Sequence, residues 1–305
     1  MTKVLVLGGV SVNTMIYLDR FPQPISQTVF SKGYHETIGS TGAGKALNLQ
    51  KLGMDITLHG LIGQDYYGDM VKAYFEREKV PFVYDIDPNG TKRHTNLMDD
   101  NGSRISIFFS YGTFDPEINL QRLETLICDS DIIVLNVINY CRKLIPFIKK
   151  CGKEIWCDIH DYDGQNDYHK DFINAADYVF MSSDAMPNYK PYMQKLIDKG
   201  KRLVVCTHSV EGVTAVNAYH QWIETPIIAS YPRKDSNGAG DSFFAGYLYG
   251  KTKGYTTNKC LRIGTIVAGL CITSTELAHP KLSEDKVAQE YKHHYGELLD
   301  GEDDV

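Results

Sequence analysis

The sequence predicts an α/β protein: a mostly parallel sheet with helices on both faces, accompanied by a small second sheet. Three observations carry this prediction. Apolar strand-like runs alternate with helical patterns over most of the chain, most regularly after residue 130. Two polar segments rich in Thr, Tyr and His, near 13–38 and 92–110, do not fit such a core and predict strands with at least one open face. Finally, Gly238-Ala239-Gly240-Asp241 runs directly into Ser242-Phe243-Phe244-Ala245-Gly246-Tyr247-Leu248, a turn that opens a helix.

Taken in order, Lys3–Leu7 reads as a buried strand ending in Gly8-Gly9, and Thr28–Ile38 as a mixed strand. Gly42–Leu52 predicts a helix, with Ala43, Ala46 and Leu47 at helical spacing. Ile56–Ile62 is a second core strand. Tyr67–Glu78 is a helix in which Met70 and Tyr74, and Val71 and Phe75, repeat at i, i+4. Asp65 in the preceding turn suits a helix cap. Arg93–Met98 and Arg104–Ser110 flank Asp99-Asp100-Asn101-Gly102, a strong hairpin signal. Strands follow at 131–137, 154–159, 178–181, 202–207 and 213–217. Helices then run from about Gly240 to Gly250 and from Thr257 to Ser274, and the acidic tail after Leu282 reads as a fraying surface helix.

A chain of 305 residues, 43% hydrophobic and 23% charged, has enough apolar mass for a substantial core. No linker, repeat or low-complexity segment divides it, so 1–305 is read as a single domain with the two polar segments inserted. A net charge of −6 without a long Lys/Arg run argues against a general nucleic-acid binder. No apolar stretch is long enough to span a bilayer, and the N-terminus reads as strand and turn rather than signal peptide. A cytoplasmic protein with no membrane partner is expected. The seven cysteines form no Cys-x-x-Cys pair, so reduced, mostly buried thiols are expected.

The chemistry concentrates at the Gly-Ala-Gly-Asp turn. Its bare backbone lets N–H groups approach a ligand, and the helix dipole and unpaired donors both favour an anion there. Asp241, in the first turn, is then a carboxylate placed to take a hydroxyl proton while those donors stabilise a transferring phosphoryl group. The whole run from Asp235 to Leu248 resembles the C-terminal signature of the ribokinase-like sugar kinases, the PfkB carbohydrate kinase family. The resemblance implies a three-layer α/β/α sandwich with a mostly parallel central sheet and a small β-sheet lid near 13–38 and 92–110. It also implies that Asp241 is the catalytic base, that Gly238, Ala239 and Gly240 form the anion hole, and that Asp235 holds a substrate hydroxyl.

Gly39-Ser40-Thr41-Gly42-Ala43-Gly44-Lys45 admits two readings. It has the phosphate-loop spacing G-x-x-x-x-G-K, although Ala46 stands where that motif needs a Mg²⁺-binding hydroxyl. Extended through Leu52-Gly53, it resembles the family's N-terminal sugar-binding signature, with Ser40 for a Gly and Gly44 for the usual Asn. On that reading Ser40, Gly42 and Gly44 contribute polar or backbone contacts to substrate, and the missing side chain at Gly44 opens space. Gly8-Gly9-Val10-Ser11-Val12-Asn13 resembles the family's first strand. It carries Asn13 in place of an Asp, adding a donor where a carboxylate only accepts.

For the nucleotide, Thr207-His208-Ser209-Val210-Glu211-Gly212 resembles the family's Thr-x-Gly-x-x-Gly loop, which assigns Thr207 and Gly212 to ribose or phosphate. Ser182 joins them, from the Met181-Ser182-Ser183-Asp184 run that stands where relatives carry Asn-x-x-Glu. That departure leaves no metal ligand assigned; Asp184 and Asp158 are candidates to hold waters of Mg²⁺. The expected activity is transfer of the ATP γ-phosphoryl group to a hydroxyl of a sugar or sugar-like molecule, a substituted sugar or nucleoside included. ATP and Mg²⁺ are the expected cofactors, K⁺ is left open because Glu276 replaces a family glycine, and lid pairing in relatives implies a homodimer. The alternatives are a catalytically weak sugar-sensing protein and, below it, a P-loop nucleotide hydrolase.

Overall fold

The computed structural model describes residues 2–300. Its strands are β1 Lys3–Leu7, β2 Ser11–Tyr17, β3 Gly33–Gly39, β4 Asp55–Ile62, β5 Phe82–Ile86, β6 Arg93–Met98, β7 Arg104–Ser110, β8 Ile132–Leu135, β9 Glu154–Asp158, β10 Tyr178–Ser182, β11 Leu203–Thr207, β12 Val213–Asn217 and β13 Trp222–Thr225. The helices are α1 Thr41–Lys51, α2 Tyr66–Arg77, α3 Leu120–Asp129, α4 Asn139–Arg142, α5 Ile145–Lys150, α6 Lys170–Ala175, α7 Tyr189–Asp198, α8 Ala239–Thr252, α9 Thr257–Ile272 and α10 Glu284–Tyr295.

Nine strands form one sheet in the order β13-β12-β11-β10-β9-β8-β1-β4-β5. All neighbours from β11 to β5 are parallel, and β12 and β13 extend the edge antiparallel. Strand β1 shows how the sheet builds two cores. Val4 and Val6 face one way, into a cluster with Phe243, Leu248, Ile263 and Ile266 from α8 and α9. Leu5 and Leu7 face the other way, onto Leu123, Ile127, Phe172 and Met193. That is the two-residue period of a strand buried on both faces. Helices α8 and α9 pack so closely that a Cβ on Gly246 would stand 3.0 Å from the Cα of Gly264.

The second sheet has the order β3-β2-β6-β7, with β2 and β6 parallel and the outer pairs antiparallel. One face carries Asn13, Met15, Tyr17, His94 and Asn96; the other carries Ile16, Tyr34, Leu97, Ile105 and Ile107. The polar composition that set these segments apart in the sequence is this inward face.

Several boundaries differ from expectation. The strand expected at 28–38 begins at Gly33, β2 precedes it, and β5 and β13 emerge where only unassigned chain was read. Strands β5 and β13 lie at the two edges of the large sheet, where half-exposed residues give no continuous apolar run. The tail helix α10 buries Val287 and Tyr291 against the core rather than lying loose on the surface. Asp65 caps α2 through Gly68 N–H (2.7 Å), as its position suggests. The expectation of seven reduced thiols is corrected. Cys128 and Cys151 are joined as a disulfide across α3 and the end of α5, and the other five cysteines are buried thiols outside any disulfide. Their 23-residue separation carries no signal in the sequence, because the pairing follows from helix packing.

Candidate active site

Asp241 enters from the first turn of α8. Gly238 precedes that helix at φ 82°, a left-handed conformation that favours glycine, and no side chain caps the helix. Ser242 N–H donates to the Gly238 carbonyl and Ala239 N–H makes a long bond of 3.3 Å to Ser236. The bare Cα of Gly240 has open space beside it: an added Cβ would meet nothing within 4 Å. The turn therefore presents backbone N–H groups at the positive end of a 14-residue helix, as an anion hole requires.

The carboxylate of Asp241 is paired with Lys45, which the sequence left between two readings. Lys45 is fully buried; its Nζ lies 2.5 Å from Asp241 Oδ1 and 3.1 Å from Asp158 Oδ2, and 5.1 Å from the centre of the Phe244 ring. Asp158 ends β9, and its Oδ1 accepts the backbone N–H of His160 at 3.0 Å. The His160 ring Nδ1 stands 3.4 Å from Asp158 Oδ2. Burial raises the Asp241 pKa against the opposing pull of Lys45. Burial also opposes charge on Lys45, but Asp241 and Asp158 together push its pKa up to about 12. Asp158 is held far below the usual carboxylate range, burial being outweighed by His160 and Lys45. Among the described residues, Asp241 Oδ2 carries no hydrogen bond.

These contacts settle the two glycine-rich readings against a phosphate loop. The Lys45 ammonium is committed to two carboxylates, and the preceding strand β3 belongs to the small sheet rather than the parallel one. Gly44 lies under Asp241: a Cβ there would stand 2.6 Å from Asp241 Oδ2, so the missing side chain makes room for that carboxylate. Gly42 packs on the backbone of Gly8 and Gly9, within 2.8 Å of where its Cβ would be, so its bareness serves helix–strand contact. Ser40 sits before α1 at φ 79°, its hydroxyl beside Gly9 and free of any capping bond.

Asn13 is buried in β2, accepting from Ser11 Oγ at 2.7 Å, and its amide covers Gly39. On the same face of β2, Tyr17 Oη donates to Asp235 Oδ2 at 3.3 Å. Asp235 is buried, its Oδ1 accepts Asn237 N–H, and burial raises its pKa. His94, opposite Asn13 in β6, stacks on Phe108, and its buried Nδ1 has no partner among the described residues. The β6–β7 turn reaches the same loop. Arg104 Nη1 donates to Asn237 Oδ1 (2.7 Å), Ser236 Oγ donates to the Gly102 carbonyl (3.1 Å), and Arg233 bonds the Asn101 carbonyl.

Ser182 and Thr207 end the neighbouring strands β10 and β11, on the same edge of the sheet as Asp158. Ser183 N–H donates to the Thr207 carbonyl and Ser182 N–H to His160, so the nucleotide candidates and the Asp158 turn are stitched together. Gly212, at φ 100°, closes the Thr207 turn through its carbonyl to His208 N–H. A groove of about 350 Å³ lined by Tyr189, His208, Glu211 and Thr214 adjoins this turn. A larger one of about 590 Å³ borders Lys234 and Glu276; neither is lined by Asp241. Asp158 Oδ2 accepts from Lys45 and its Oδ1 from the His160 N–H. Lys45 was expected only as the end of the glycine-rich loop, and His160, Tyr17 and His94 were not among the residues expected near it. Only Lys45 left a signal, a charge at an apolar helix position between Gly44 and Ala46.

A family model described as pfkB family carbohydrate kinase matches residues 1–284. The acarbose 7(IV)-phosphotransferase of Actinoplanes sp. is 30% identical over 285 residues, 89% of this chain and 92% of that protein. The ribokinase of Lactococcus lactis is 24% identical over 296 residues, 94% of this chain and 96% of that one. Among solved structures, the microbiome-derived acarbose kinase Mak1 superposes with a TM-score of 0.86 at 25% identity, covering 94% of this chain and 98% of that one. The ribokinase of Thermotoga maritima shares the fold, with a TM-score of 0.78 at 18% identity over 96% of this chain and all of that one.

Proposed function

The chain belongs to the pfkB family of carbohydrate kinases, and from that premise we propose that it transfers the γ-phosphoryl group of ATP to a hydroxyl of a substituted sugar, with Asp241 as the base. The observation that carries this reading is the free Oδ2 of Asp241 in the first turn of a helix whose N-terminus is built from bare backbone. The acceptor O–H gives its proton to that oxygen, and its oxygen forms a bond to the γ-phosphorus. The bond from the γ-phosphorus to the bridging oxygen of the β-phosphate breaks, and ADP leaves. The N–H groups of Gly238–Gly240 stabilise charge on the transferring group.

Asp235, Asn13 and Ser40 hold the other acceptor hydroxyls, with Gly42 and Gly44 shaping the backbone beneath. Ser182, Thr207 and Gly212 hold the nucleotide. The small sheet is read as a lid inserted in one kinase domain, closing through its Asn101–Arg104 turn onto Arg233, Ser236 and Asn237. Its outward row of Tyr34, Ile105, Ile107 and Phe109 is exposed and apolar and supports a homodimer formed through paired lids. The described residues contain no cluster of three or more His, Cys, Asp or Glu side chains suited to a resident metal. Mg²⁺ is read as arriving with the nucleotide. No helix among the described residues is long and apolar enough to cross a membrane; the cytoplasm remains the proposed location.

The substituted sugar, in place of a simple one, rests on the two acarbose-phosphorylating relatives. The test is ADP release with acarbose, ribose, fructose 6-phosphate and nucleosides, in potassium and in sodium buffers. The highest kcat/KM is expected on acarbose or another substituted sugar. A preference for an unsubstituted pentose or hexose overturns the substrate class, and ADP release independent of any acceptor overturns the kinase reading.

A further inference from the structure

Two carboxylates, Asp241 and Asp158, come together at the C-terminal edge of the sheet, each nearly buried. Two anions so placed repel each other, and burial alone drives one of them to take up a proton. Nothing about phosphoryl transfer by Asp241 tolerates that, because a protonated carboxyl cannot accept the acceptor's proton. Among the described residues, the one cation in direct contact with both is the ammonium of Lys45, which is itself fully buried and has exchanged its hydration for these two partners and the face of Phe244. A lone buried ammonium is strongly disfavoured, so the three groups hold one another in place.

The arrangement is also directional. Lys45 takes Oδ1 of Asp241, while Oδ2 lies over the bare Gly44 backbone, one residue before the lysine on the same helix. One helical turn thus fixes both the charge of the carboxylate and the oxygen it presents. We propose that Lys45 is a positioning residue for the base: it keeps Asp241 ionised beside Asp158 and turns Oδ2 toward the acceptor hydroxyl.

The groups facing Asp241 are Lys45 from α1, Asp158 and His160 from the end of β9, and the thiol of Cys271 from α9, which burial holds neutral. Lys45 stays charged across the working pH range, its pKa lying near 12. The acid limb of activity therefore reports Asp241 as tuned by Lys45, with His160 raised by Asp158 as the other group that can charge in this range.

The experiment compares wild type with Lys45→Met and Lys45→Arg by two readouts. The first is a carbon-13 NMR titration of the aspartate carboxyl groups, with the Asp241 signal assigned from Asp241→Asn. It needs no acceptor, so it stands apart from the phosphotransfer reading on which the second readout rests. The Asp241 pKa is expected to rise by about 1 to 3 units in Lys45→Met and to stay near the wild-type value in Lys45→Arg. The second readout is the pH dependence of kcat/KM on the best acceptor of the panel. Its acid limb is expected to move upward by the same amount in Lys45→Met, so that raising the pH restores activity, with KM for ATP unchanged. A merely structural lysine would lower the melting temperature or the amplitude without moving the limb. If Lys45→Met does not fold, Lys45→Gln takes its place in both readouts. An unmoved Asp241 titration in a folded neutral variant overturns the proposal.

Discussion

The Cα of Gly44 lies directly against the carboxylate of Asp241, so close that a Cβ on Gly44 would stand 2.6 Å from Oδ2. A sequence separation of 197 residues is closed to van der Waals contact by α1 packing on α8 at the sheet edge. Gly44→Ala must therefore push the Asp241 carboxylate, our proposed base, aside. Misplacement by about 1 Å can cost on the order of 10² in rate, and a loss of that order in kcat with little change in KM for ATP is expected. Steady-state kinetics decide it, and a wild-type kcat would mean that Asp241 does not act from this position.

Asp241→Asn removes a carboxylate whose Oδ2, among the described residues, carries no hydrogen bond and stands beside the helix N-terminus. Loss of a general base typically costs on the order of 10² to 10⁴ in rate. The variant is expected to fold and to bind ATP, measured by calorimetry, while turnover falls by that factor. Retention of more than about a third of kcat would assign the base elsewhere.

Asn13 and Gly39 make a second such pair, since a Cβ on Gly39 would lie 1.9 Å from Asn13 Nδ2. Gly39→Ala displaces the Asn13 amide, which we assign to an acceptor hydroxyl. The expected result is a rise in KM for the acceptor with KM for ATP nearly constant. Equal rises in both would place Asn13 outside the acceptor site.

The β6–β7 turn meets the loop before α8 through Arg104 and Asn237 at 2.7 Å, Arg104 being exposed and Asn237 half-buried. Arg104→Ala is expected to change stability by no more than about 0.5 kcal/mol, as exposed substitutions usually do. Its effect falls on closure: KM for the acceptor rises, and ADP release without acceptor increases as water gains access. Unchanged values for both would show that this contact does not govern closure.

Much of the fold was legible because strand alternation and hairpin turns are local patterns. Lys3–Leu7, Arg93–Met98, Arg104–Ser110 and Val213–Asn217 stand where their own residues place them. So does the Gly-Ala-Gly-Asp turn, since a helix start and a first-turn carboxylate are properties of neighbouring residues. Edge strands β5 and β13 were not legible, being too exposed to carry an apolar run.

By itself the sequence determined the α/β class, the polar second sheet and the residue at the head of α8, because each is set by periodicity or by a few adjacent side chains. Only the tertiary structure decided what Lys45 does. Its motif spacing fitted a phosphate loop as well as a sugar loop, and the choice depended on Asp158 and Asp241, 113 and 196 residues away. The same holds for Gly44, whose missing side chain reads as open space along the chain and is filled by a carboxylate in the fold. Charge pairing and steric contact act through space, and no local pattern records which distant group will arrive.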